Sequence, residues 1–122
     1  MQLNREQAGN IDRLLNDLIF TKAPFLQHGY TLKQMADDLG VPLHHLSAFI
    51  NQQYGMHFND FINMHRVNYC ISKMVDQEWR YKKLGVIGDE AGFGNRSTFI
   101  TAFKKVTGQN PSSYVRSFTD GL

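Results

Sequence analysis

Between Asn95 and Thr107 the chain places Arg96, Ser97, Ile100, Thr101 and Lys104 on one side of a helical repeat, away from Phe99, Ala102, Phe103 and Val106. Lys105 adjoins Lys104. Guanidinium and ammonium groups hold anions, and hydroxyls both donate and accept. An isoleucine on such a face calls for an apolar partner. A second face of this kind lies between Leu43 and Tyr54, where His44, Ser47, Ala48 and Asn51 stand opposite Leu46, Phe49 and Ile50. That stretch, which also holds Gln52, has no formal charge.

Other chemistries are thinly supplied. His44, His45 and His57 lie close in sequence, but adjacent helical histidines point about 100° apart and make a poor chelate. No metal is expected there. Proton uptake by His44 beside phosphates would instead make binding pH-sensitive. The single Cys70 excludes an intrachain disulfide and a Cys-rich zinc site, and its place on the apolar side of residues 58–75 makes it core filler. No phosphate loop, nucleophile elbow or suitably placed carboxylate pair occurs, so neither an enzyme nor a cofactor is expected.

The elements that must carry the two faces are helical. Hydrophobic residues make up 42% of the 122 and aromatics 12%, enough for a core and too much for disorder. Proline occurs only at 24, 42 and 111, and between such breaks the apolar spacing is that of helices. Asn4 with Gln7 predicts a capping box opening a helix over 4–22, its stripe formed by Ala8, Ile11, Leu15, Leu18 and Ile19. No apolar run approaches the ~20 residues that span a membrane, no signal-peptide pattern opens the chain, and a cytoplasmic setting is expected.

The chain then repeats itself. Leu32, Met35, Ala36, Leu39, Gly40 and Val41 recur as Leu84, Ile87, Gly88, Ala91, Gly92 and Phe93, at an offset of 52. After one inserted residue the match resumes at 53: Leu46, Phe49 and Ile50 become Phe99, Ala102 and Phe103, Gly55 becomes Gly108, and Phe61 becomes Tyr114. Each copy reads as a short helix, a glycine turn, a longer helix, a glycine stop and a further helix. This is the helix-turn-helix pattern. The predicted fold is all-α. An N-terminal helix and link occupy 1–29, a first helix-turn-helix 30–57, a linker element 58–81 and a second helix-turn-helix with a closing helix 82–118. Residues 58–75 read as one long helix, and the polar residues 76–83 link it to the second unit.

In a helix-turn-helix the second helix enters the DNA major groove, and two units joined by a helix could reach groove segments about 34 Å apart without a dimer. The charges are uneven. Residues 31–60 set Lys33 against Asp37, Asp38 and Asp60, whereas 82–122 set six cations against Asp89, Glu90 and Asp120. A polyanion would be held mainly by the C-terminal third. Arg96 can pair with guanine or with a phosphate, and both readings stand.

The stretch "GFGNRSTFITAFKKVTGQNPSSY" resembles the signature of the AraC/XylS-type transcription regulators, and "TLKQMADDLGVPLHHLSAFINQQYGMHFNDFINMHRV" resembles the same family's first half, with Arg66 as its linker-helix arginine. The likeness covers residues 30–118. It implies a double-stranded-DNA-binding domain, attached to an upstream sensory or dimerisation module, and, for an activator, contact with RNA polymerase. It further implies that His44, Ser47 and Ala48 face bases with Arg96, Ser97, Ile100 and Thr101. Thr31, Asn51, Gln52, Lys104 and Lys105 are then the phosphate set. Two departures stand out: Val115 follows Tyr114 with Arg116 one later, and the first recognition helix ends in Asn51 and Gln52 where basic residues are usual. The alternative is a helical protein-interaction module that keeps the fold without DNA.

Overall fold

The structure, a computed structural model, describes residues 1–76 and 82–119. Among these it contains seven α-helices and no strand: α1 (Arg5–Lys22), α2 (Leu32–Leu39), α3 (Leu43–Tyr54), α4 (Phe58–Val75), α5 (Leu84–Glu90), α6 (Arg96–Thr107) and α7 (Pro111–Thr119). Residues 77–81 of the expected link lie outside the described residues. The chain forms two compact units, Met1–Ile62 and Asn63–Leu122, so the division falls inside α4 rather than at either end of the expected linker.

In the first unit α1 opens on the predicted box: Gln7 N–H donates to Asn4 Oδ1 at 2.8 Å, and Asn4 N–H to Gln7 Oε1 at 3.0 Å. Ile11 and Leu15 are buried, and α1 packs on both α2 and α3, so its stripe is spent inside the unit. Met35, Leu46 and Ile50 complete that core, and Phe61 stacks obliquely on Tyr54 at 5.0 Å. The approach to α2 is pinned by the buried Tyr30, whose hydroxyl donates to Asp38 Oδ2 at 2.7 Å.

In the second unit Val67, Cys70 and Met74 of α4, Ile87 of α5, Phe93, Phe99 and Phe103 form one core with Val115 of α7. Arg66 is buried in its own right, with its guanidinium 5.7 Å from the centroid of the Phe93 ring, and burial lowers its pKa from the ordinary value. It is a structural cation. Val115 is buried, which explains why no arginine directly follows Tyr114.

The repeat in the sequence is a repeat of hydrogen bonds. After α2, Val41 N–H donates to Ala36 O and Gly40 N–H to Asp37 O; after α5, Phe93 N–H donates to Gly88 O and Gly92 N–H to Asp89 O. These are the two bonds of the Schellman stop, at the same offset of 52. Gly40 and Gly92 supply the positive φ this turn needs, 70° and 105°. The inserted residue has a local use. Pro42 caps α3 without a side-chain bond, whereas the longer turn brings Asn95 to the head of α6, where its Oδ1 accepts from Thr98 N–H at 2.8 Å. Both longer helices run twelve residues and stop at a left-handed glycine, Gly55 and Gly108.

Candidate nucleic-acid interface

On α3, His44, Ser47 and Asn51 are exposed and Ala48 is half-buried, so three of the four residues on the predicted face are open to solvent. The His44 and His45 rings meet edge-on at 4.6 Å. Gln52 is otherwise engaged: its Nε2 donates to the Met1 carbonyl at 2.6 Å, a bond that a phosphate would have to displace. Thr31 is the cap of α2. Its hydroxyl accepts from Gln34 N–H at 3.1 Å, while Gln34 Oε1 accepts from Thr31 N–H at 2.8 Å.

On α6, Arg96, Ser97, Thr101, Lys104 and Lys105 are exposed. Two expectations require correction. Val106, assigned to the buried stripe, is 41% exposed in the last turn of α6, where the helix runs out of core. Ile100, assigned to the outward face, is half-buried and packs against the core of the second unit. Its apolar side chain therefore has a partner inside the protein. Lys104 and Lys105 sit in the last turn, where cations also stabilise the helix carbonyl end by about 0.3–1 kcal/mol.

What positions α6 is a glycine. A Cβ on Gly88 would lie 2.7 Å from Cγ and Cδ2 of Phe99, so the ring of α6 rests directly on the backbone of α5. The corresponding α2 residue is Ala36, also buried. A small residue at this position of the short helix lets the longer helix cross closely.

Each unit also has an open groove beside its longer helix, about 390 Å³ in the first and about 530 Å³ in the second. The two are the same groove. Thr31 and Leu32 of one correspond to Lys83 and Leu84 of the other at the offset of 52; Ser47, His57, Phe58 and Asn59 correspond to Ile100, Asn110, Pro111 and Ser112 at 53. In each, the start of the short helix, the middle of the longer helix and the start of the following helix converge. Lys83, Asn59, Asn110 and Ser112 thus line grooves beside the predicted faces without having been singled out in the sequence, and His57, weighed there only as a metal ligand, joins them. Extending the offsets from Thr31 to Lys83 would have found one of them. Arg96 lines the second groove and makes no hydrogen bond or ion pair among the described residues.

Among the described residues no group of three His, Cys, Asp or Glu side chains could hold a metal ion, and no helix is long and apolar enough to cross a membrane.

The family profile described as a helix-turn-helix domain matches residues 35–117. Two solved structures are similar. The C-terminal domain of AraT, a response regulator from Geobacillus stearothermophilus, is 25% identical, with a TM-score of 0.72, covering 96% of this chain and 88% of that one. A Listeria innocua protein of unknown function is 27% identical, with a TM-score of 0.67, covering 84% of this chain and 94% of that one. No curated protein matches the sequence.

Proposed function

This chain belongs to the AraC-type helix-turn-helix family of DNA-binding transcription regulators, and from that premise we propose that α3 and α6 read two successive major-groove segments of one duplex. Two twelve-residue helices, each stopped by a glycine and each held by the same turn, carry this reading. His44 and Ser47 on α3, and Ser97 and Thr101 on α6, can bond base edges, while Ala48 can meet a thymine methyl. Ile100 contributes its exposed edge to the groove wall. Lys104 and Lys105 contact phosphates, and the amides at the start of α2, beyond the Thr31 cap, donate to another. Asn51 adds a neutral backbone contact.

The two helices differ in charge. α3 has no charged residue, and α6 has Arg96, Lys104 and Lys105. The second unit therefore supplies most of the electrostatic hold, and the first reads by shape and neutral contacts. An upstream module delivers the regulatory signal, and the protein acts in the cytoplasm, where an activating role brings it against RNA polymerase.

Selection of bound sequences from random duplex DNA at two salt concentrations tests this. An enriched bipartite site, with half-sites one helical turn apart, is the expected result. Absence of any enriched motif sinks the reading and favours the protein-interaction alternative.

A further inference from the structure

The groove of the second unit has no acidic residue in its wall and two cations at its edge, Lys83 and Arg96. The neighbouring cation is already spent: Lys82 Nζ lies 3.1 Å from both carboxylate oxygens of Glu90. Lys83 stands at the head of α5 and makes no side-chain cap bond, and among the described residues it has no ion pair. Its apolar residues lie deeper, Leu84 and Ile100 half-buried and Pro111 buried, whereas Lys83, Arg96 and Ser112 are exposed. A wall of this kind, cations at the edge over an apolar floor, matches one polymer in particular. Sugar–phosphate backbone alternates a charged group with an apolar ring.

We propose that this groove seats a run of DNA backbone beside α6, with phosphates at Lys83 and Arg96 and deoxyribose against Leu84, Ile100 and Pro111. The proposal rests on the DNA-binding reading and extends it in two ways. It adds Lys83 as a DNA contact, and it makes Arg96 a backbone cation rather than a base reader. It also explains why the half-buried Ile100 faces this side: it is groove floor, not a base contact. The equivalent groove of the first unit has Thr31 where Lys83 stands, and no lysine or arginine lines it, so it can follow the same backbone only by weaker contacts.

The test measures affinity of the full chain between 50 and 200 mM salt, on a selected duplex and on a scrambled one of equal length. Lys83→Ala and Arg96→Ala are each expected to lower the salt slope by about 0.9. Each then loses roughly 3.5-fold more affinity at 50 than at 200 mM. Both losses fall equally on the two duplexes, whereas Lys82→Ala, which removes a cation already paired, changes the slope by less than half as much. Lys83→Gln repeats the result without altering the helix start. Unfolding midpoints confirm that the variants are folded. A Lys83→Ala slope within about 0.3 of wild type overturns the seat, as does an Arg96→Ala loss confined to the selected duplex. Equal effects at Lys82 and Lys83 overturn it too, since they mark a diffuse field. If Lys104→Ala lowers the slope and Lys83→Ala does not, the seat alone fails. If wild type binds neither duplex, the DNA reading falls with it.

Discussion

Replacing Gly88 by alanine adds one methyl group at the point where α6 rests on α5. That carbon would lie 2.7 Å from Cγ and Cδ2 of Phe99 and 3.0 Å from Cε2. Carbon–carbon contacts sit near 3.5–4.0 Å, so ring or helix must yield by roughly 1 Å. The ring is held on two sides by other aromatic rings. It is 3% exposed, with Phe93 at 5.4 Å and Phe103 at 5.9 Å between centroids. Overpacking of a filled core costs about 1–3 kcal/mol, and a contact as short as 2.7 Å places this case in the upper half of that range. Alanine recovers about 1 kcal/mol of helix propensity. The net loss is about 1–2 kcal/mol. With a urea dependence near 2 kcal/mol/M, the midpoint falls by roughly 0.5–1 M. Gly85→Ala is the internal control, because a Cβ there meets nothing within 4 Å and only the propensity gain remains. Urea unfolding followed by circular dichroism, with hydrogen exchange of α5 and α6 amides to locate the change, reads both. Duplex affinity should fall with Gly88→Ala, since the recognition helix is displaced. A Gly88→Ala midpoint at or above that of Gly85→Ala would refute the close-crossing argument.

Lys104→Ala should weaken binding to every duplex by one factor and lower the salt slope by about one unit; a loss that depends on base sequence contradicts its assignment to phosphate. Cys70 is fully buried, and burial pushes its thiol up to about 12, so iodoacetamide at pH 8 should leave it untouched until urea unfolds the second unit. Labelling at the rate of an exposed thiol in the native protein would contradict that burial. Burial also lowers the pKa of His65 from the ordinary 6.5. The unfolded chain then takes up the proton first, so the stability this residue contributes is complete above that value and is lost as pH falls below it; His65→Gln should flatten the acid limb of the unfolding curve. Tyr30 works at the other end of the scale: burial, then the bond to Asp38 and its charge, raise its pKa above 10.0. Its contribution is present below that pH and lost as pH rises, and Tyr30→Phe should weaken the alkaline loss, which amide exchange in α2 would follow.

The periodic apolar residues and the glycine stops determined most of this architecture from sequence alone, because both act locally. An apolar stripe fixes which side of a helix turns inward, and a glycine fixes where the backbone can reverse. Helices at 43–54 and 58–75, the Asn4–Gln7 box and the duplicated turn all follow from residues within one or two turns of each other. Burial at the margins depends on neighbours that sequence spacing does not place. Val106 lies on the stripe of α6 but outside the core cluster, so it stays exposed, while Ile100 lies off the stripe and is half-covered. Arg66 finds the Phe93 ring 27 residues away, and Gln52 finds the Met1 carbonyl 51 residues away. The DNA-facing groups divide in the same way. The polar faces of α3 and α6 were legible as faces, since helical spacing alone sets them. The groove that joins Lys83, Arg96 and Ser112 was not, because it exists only once α5, α6 and α7 have packed together and left their starts and middles side by side.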